Sequence, residues 1–183
     1  MARALVPVAE GVEEMEAVII VDVLRRAGWD VVSVGVAEGP VTASRGVHLV
    51  PDSSWSQVDP ASFDMVVIPG GMGGTEVLLA FEPLLAVLRE FHACGKLVAA
   101  ICAGPLVLQA AGILADVEAT SHPSVADDLC VCRYRDDRVV VAGNVVTSRG
   151  PGTALEFALA IVALVEGGEK ARAIAEAMIA PFE

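Results

Sequence analysis

Aromatic residues make up only 4% of the 183-residue chain, histidine occurs three times, and 12 Lys and Arg stand against 24 Asp and Glu. The shortage of cations, a formal net charge of −12, removes the positive footprint that a nucleic-acid binder needs. The acidic surplus reads as solubility. No histidine lies near the close Cys130-Val-Cys132 pair, so a tetrahedral metal set is not expected there, and nothing implies a metal or organic cofactor. Both cysteines read as small packing residues. A secretory leader is not expected, because the apolar run in "MARALVPVAEGVEE" is too short before its acids. Cys94, Cys102, Cys130 and Cys132 are therefore expected as free thiols in a reducing compartment, the cytoplasm. Only residues 97–115, "LVAAICAGPLVLQAAGILA", are long and apolar enough to suggest a membrane span. Gly104-Pro105 splits that run into a strand-length and a helix-length piece, so no membrane partner is expected.

What remains is 55% hydrophobic and rich in Val and Ala, enough to bury the core of one domain over residues 1–183. Strand-length runs at 4–8, 30–37 and 63–71, and in "KLVAAIC", alternate with helix-length runs at 12–28 and 75–93, and in "GPLVLQAAGIL". Residues 41–52 read as a hairpin-like excursion, and 138–148 as a hairpin turning at Gly143-Asn144. "GTALEFALAIVALVEG" and residues 169–178 complete the helices. Near-continuous Val/Ile strands between helices predict a mostly parallel α/β sheet covered on both faces, with its site at the strands' carboxyl ends. Pro7 fits badly in a central first strand, because proline removes a ladder hydrogen bond.

Gly70-Gly71 and Cys102 both fall at those carboxyl ends. Cys102 sits between a buried strand and a Gly-Pro helix start, a sharp turn that aims its sulfur into the crevice. The adjoining helix N-terminus is expected to lower the thiol pKa. The amides of Ala103 and Gly71 are placed to receive an oxyanion. The alternative is a buried packing cysteine. Glu13, Glu14 and Glu16 crowd the start of the first helix, and surface charge accounts for at least two of them. Met15 and Ile19 mark a buried stripe beside Glu16, whose carboxyl would then be held protonated and able to donate to sulfur. Asp22 is a weaker candidate on the same helix. His48 and His92 read as surface, and His122, in "TSHPSVAD", as either a loop histidine or a general base.

"EGVEEMEAV", "VLRRAG", "PGG", "AAICAGP", "SHP" and "TSRGPGTALEFALAIV" together resemble the ThiJ/PfpI superfamily, in the branch of the Parkinsonism-associated protein deglycase. That resemblance implies a flavodoxin-like three-layer sandwich, a homodimer and a reactive cysteine on a strained elbow. By position it implies Cys102 as nucleophile, Glu16 as its protonated partner and His122 as the nearby imidazole. It also implies Gly71 and Ala103 as oxyanion donors, with Arg45, Arg149 and Met15 at the pocket or dimer seam. The implied activity is cofactor-independent conversion of α-oxoaldehydes such as methylglyoxal, or deglycation of glycated protein. A redox sensor or redox-regulated chaperone working through oxidation of Cys102 is the alternative. Three positions depart from the family pattern. Met72 replaces a polar residue after the glycine pair, Val50 stands where some members carry a second cysteine, and Ala103 replaces the histidine of the peptidase branch, which counts against proteolysis.

Overall fold

A computed structural model describes residues 1–181. The expected domain limit at residue 183 lies outside them. In chain order the elements are β1 (Arg3–Val8), α1 (Glu14–Arg26), β2 (Asp30–Gly35), β3 (Val41–Thr42), β4 (His48–Leu49), β5 (Ser53–Ser54), β6 (Met65–Ile68), α2 (Met72–Leu79) and α3 (Glu82–Ala93). Then come β7 (Leu97–Ile101), α4 (Pro105–Ala110), β8 (Glu118–Ala119), β9 (Arg133–Tyr134), β10 (Val139–Ala142), β11 (Val145–Ser148), α5 (Ala154–Glu166) and α6 (Gly168–Ala177).

Seven strands form the main sheet in the order β10-β11-β7-β6-β1-β2-β5. All its pairings are parallel except β10 with β11. Successive residues of each strand face opposite sides. Ala4, Val6, Met65, Val67, Ala99 and Ile101 therefore pack with α1, α5 and α6. Leu5, Val66, Ile68, Val98 and Ala100 pack with the helices on the other face, α2, α3 and α4. This is the expected three-layer flavodoxin-like sandwich.

Pro7 does lie in a central strand. The β1–β6 pairing ends at Leu5↔Val66, two residues short of it, while β1–β2 pairing continues through Pro7↔Val34. The apolar 97–115 run divides into β7 and α4, and no helix among the described residues is long and apolar enough to cross a membrane.

Four local expectations are corrected. The helix predicted over 75–93 is two, α2 and α3, broken at Phe81 because Pro83 stands in the first turn of α3 and disfavours helix before it. Met15 is 54% exposed, so the buried stripe of α1 is Glu16, Ala17, Ile20, Val23 and Leu24. That spacing places Glu16 on the apolar face itself. Glu14 is buried as well as Glu16, so surface charge accounts for Glu13 alone, and that only in part. Cys130 and Cys132 are exposed, because Leu129 and Val131 turn inward on either side of Cys130 and leave the cysteines facing out. No disulfide joins the four cysteines.

Candidate active site

Chain order places the site. β1 runs outward to β2, and the chain then returns to β6 on β1's other side. Such a reversal opens a crevice beyond the carboxyl ends of the strands. Into it come α1 after β1, the Gly70-Gly71 strap after β6, and Cys102 directly after β7.

Cys102 has φ 65, and among the described residues only Ile179 shares a positive φ without being glycine. A side chain in that left-handed region costs on the order of 1–2 kcal/mol. Three bonds hold it there. The Cys102 N–H donates to the Ser148 carbonyl at 3.0 Å, its carbonyl accepts from the His122 N–H at 2.9 Å, and the Gly104 N–H donates to the Ile101 carbonyl at 2.8 Å. The elbow is thus tied to β11 on one side and to the His122 loop on the other. Gly104 is required by this bend, since a Cβ there would lie 2.8 Å from the Ile101 carbonyl oxygen.

Glu16 reaches the elbow from α1. The Glu13 side chain starts the helix by accepting from the Glu16 N–H at 2.7 Å, and the Glu13 N–H donates to the Gly70 carbonyl at 2.9 Å. The strap and the helix start are therefore pinned by one residue. The Glu16 side chain is fully buried. Its Oε2 accepts from the Gly70 N–H at 2.6 Å, while Oε1 is sealed from solvent with no hydrogen bond of regular geometry. The remaining polar neighbour of the carboxyl is the Cys102 thiol. Gly70 is what lets the two meet. A Cβ on it would lie 2.6 Å from Cβ of Cys102 and 2.8 Å from Oε2 of Glu16.

Burial pushes the Glu16 carboxyl up to about 7, helped by the charge of Glu13 and opposed by the hydrogen bonds from Gly70 and Cys102. Burial also pushes the Cys102 thiol up, to about 12, with the Glu16 charge as the next cause. The amides of Gly71 and Ala103 pull it back. The expected lowering of the thiol by a helix N-terminus is thus overturned while Glu16 is ionised, because burial of the sulfur, and after it the Glu16 charge, outweigh the two amides. Burial raises both groups, and the Glu16 charge raises the thiol further while the thiol's hydrogen bond lowers Glu16, so the two titrate as a coupled pair. It sheds one proton near pH 7 and keeps the second far beyond neutrality.

A cavity of about 310 Å³ opens on the sulfur. Cys102, Ala103, Gly71, His122 and Arg45 all line it. The His122 Nδ1 accepts from the Ser124 N–H at 3.2 Å and lies 2.8 Å from the Ser124 hydroxyl. That turn fixes the ring over Gly150, whose Cβ position would be 3.3 Å from His122 Cδ2. The exposed guanidinium of Arg45 donates to the Ser44 carbonyl at 3.2 Å. Arg149 does not line the cavity; its guanidinium donates to the Asp136 carbonyl at 2.8 Å. Met15 and Asp22 also stay outside it, and Asp22 pairs with Arg26 at 2.7 Å. Sequence reasoning missed Ser44, Ser124 and Pro151 as lining residues, and Glu13 as more than surface charge. The "EGVEE" run carried a signal for Glu13, which stands three residues before Glu16 in a helix-capping position. Among the described residues, no group of three His, Cys, Asp or Glu side chains could hold a metal ion.

The DJ-1/PfpI family profile matches residues 2–164. The chain belongs to the DJ-1/PfpI family. It is 44% identical over 182 residues to "Protein dj-1beta" of Drosophila melanogaster, covering 98% of this chain and 97% of that one. A second DJ-1 relative, from Caenorhabditis elegans, is named "Glutathione-independent glyoxalase DJR-1.2" and is 42% identical over 168 residues, 90% of this chain and 89% of its own. Among solved structures, "Toxoplasma gondii DJ-1, oxidized" superposes with a TM-score of 0.95 at 40% identity, over the full length of both chains. The elbow, strap and buried carboxyl described above thus stand on a DJ-1 scaffold along the whole sheet.

Proposed function

We propose that this chain is a cofactor-independent thiol enzyme that converts α-oxoaldehydes to α-hydroxy acids, with methylglyoxal giving lactate. The observation that carries this reading is the buried Glu16 Oε1, without a regular partner, beside a sulfur that two amides also serve. With the shared proton on Oε1, sulfur is an anion facing three donors. With the proton on sulfur, the carboxylate keeps only the Gly70 N–H and a weak S–H donor. Donor count favours the neutral acid and the thiolate.

In the proposed sequence the Cys102 thiolate forms a C–S bond to the aldehyde carbon. The carbonyl electron pair moves to oxygen beside the Gly71 and Ala103 amides, and that oxygen takes the Glu16 proton. The Glu16 carboxylate then removes the hydrogen on the former aldehyde carbon. His122 protonates the neighbouring ketone oxygen, and Glu16 returns its proton to that neighbouring carbon and takes the proton of the hydroxyl on the sulfur-bearing carbon, which gives a hydroxy thioester and restores the neutral acid. Water, losing its proton to His122, breaks the C–S bond and releases lactate and the thiolate. The sum is methylglyoxal plus water to lactic acid. The glyoxalase name of the C. elegans relative supports this class of reaction. The same addition to glycated amines or thiols would be read as deglycation. The test is lactate formation by pure protein with methylglyoxal: the reading requires turnover that Cys102→Ser abolishes, and equal turnover by the variant contradicts it.

A second reading has its own support, the oxidised state named for the Toxoplasma structure. Cys102 is half-buried at the cavity and reachable by peroxide. Its sulfinate would accept the Glu16 proton, making the same pair a redox sensor or the trigger of a redox-regulated chaperone. Intact mass after mild peroxide tests this, with gain of two oxygens at Cys102 alone as the supporting result. We further place the chain as a single ThiJ/PfpI-type domain over residues 1–183, acting as a homodimer. Val18, Val21, Leu49 and Val50 line one groove between α1 and the β3–β4 hairpin and support such an interface. The free thiols, three of them exposed, suit the cytoplasm.

A further inference from the structure

Resting on the oxoaldehyde reading, we propose that Met72 is the specificity-determining residue of the cavity and selects α-oxoaldehydes that carry an apolar substituent, alkyl or aryl, over glyoxal. Met72 opens α2 directly after Gly71, whose φ of +87 turns the strap toward the elbow. Gly71 cannot carry a side chain there, because a Cβ would lie 2.4 Å from the Glu13 nitrogen. The first side chain beyond the oxyanion amide is therefore that of residue 72. It lines the cavity together with Cys102 and is 49% exposed.

Among the lining side chains, Ala103 and Pro151 are short and apolar, while Glu13, Arg45 and His122 are polar. Met72 is the long apolar one. An aldehyde carbon bonded to sulfur, with its oxygen at the Gly71 amide, carries its remaining substituent only two bonds away. That distance brings the substituent to the residue next to Gly71. An unbranched thioether adapts to alkyl and aromatic groups alike and makes favourable contacts with a ring edge. Water leaving the Met72 side chain and the substituent together rewards an apolar group and gives nothing to the hydrogen of glyoxal.

The test compares wild type, Met72→Ser and Met72→Leu in two assays. In the first, the ratio of kcat/KM for phenylglyoxal to that for glyoxal should fall about tenfold in Met72→Ser, the usual reach of apolar discrimination. Met72→Leu should keep the ratio within about twofold. In the second, Cys102 is labelled with phenacyl bromide or iodoacetamide, each forming a C–S bond with loss of halide. The phenacyl-to-acetamide rate ratio should fall in the same order. An unchanged labelling ratio in Met72→Ser overturns the role of Met72. If wild type turns over neither oxoaldehyde while the labelling ratio still falls, the reaction reading fails and the selectivity of Met72 stands.

Discussion

Glu14 and Glu16 leave the first turn of α1 two residues apart, and both side chains are taken out of water. Glu14 turns to the β3–β4 hairpin, where it accepts from the Ser44 hydroxyl at 3.0 Å and from the Arg45 N–H at 3.0 Å. Desolvation works to raise its pKa, but those bonds and the neighbouring backbone donors outweigh it and hold Glu14 below the ordinary value. Glu16 turns the other way, finds one N–H for two oxygens, and is pushed up to about 7. Glu14 lies near the surface under the hairpin and Glu16 is sealed inside, so depth of burial and the number of donors together decide which carboxyl stays an anion and which keeps a proton. Glu14 fastens the hairpin to the helix. Glu16 holds a proton beside sulfur.

Changes that erase this contrast should cost most. Cys102→Ser removes the group that Glu16 serves, and lactate formation should fall on the order of 10³-fold or more, read by initial rates. Glu16→Gln keeps the shape but cannot release a proton, and about a 10²-fold loss in kcat is expected. The same variant sharpens the comparison in stability. The first proton, kept by the pair to about pH 7 where a free carboxyl would lose it near 4.5, contributes stability that is present below pH 4.5 and lost as pH rises through 7. Relative to Glu16→Gln, wild type should therefore weaken by a few kcal/mol across that window, measured by urea unfolding at stepped pH. Gly70→Ala should lower activity about tenfold and stability by about 1–3 kcal/mol, because its Cβ wedges apart the thiol and the carboxyl. Glu14→Gln should have the smallest effect. It lowers the thermal midpoint by loosening the hairpin and leaves the pH dependence of Cys102 labelling in place.

The sequence made the sheet and the elbow visible for one physical reason. Buried strands such as "MVVI" and "LVAAI" are continuous apolar runs, and each ends where glycine or proline interrupts it. Cys102 stands at such an interruption. The very short strands were less legible: β5 was not anticipated, nor was the β8–β9 pair, because two-residue strands carry no periodicity. Met15 was misplaced because one i, i+4 pair fits several faces of a helix, and only the longer series through Leu24 picks the buried one. The thiol pKa was misjudged because a helix start is visible in sequence, whereas burial of the sulfur, and a carboxyl brought against it from 86 positions earlier in the chain, Glu16 against Cys102, are products of topology.

Carbamidomethylation of Cys102 against pH, in wild type and Glu16→Gln, bears most directly on the shared proton. The account predicts that wild-type labelling rises through an inflection near pH 7, as the pair loses its first proton and leaves a thiolate beside a neutral acid. Glu16→Gln should lose that inflection. A wild-type profile that stays flat through pH 8 and climbs only at or above the ordinary thiol value of about 8.5 would place the remaining proton on sulfur and contradict the account.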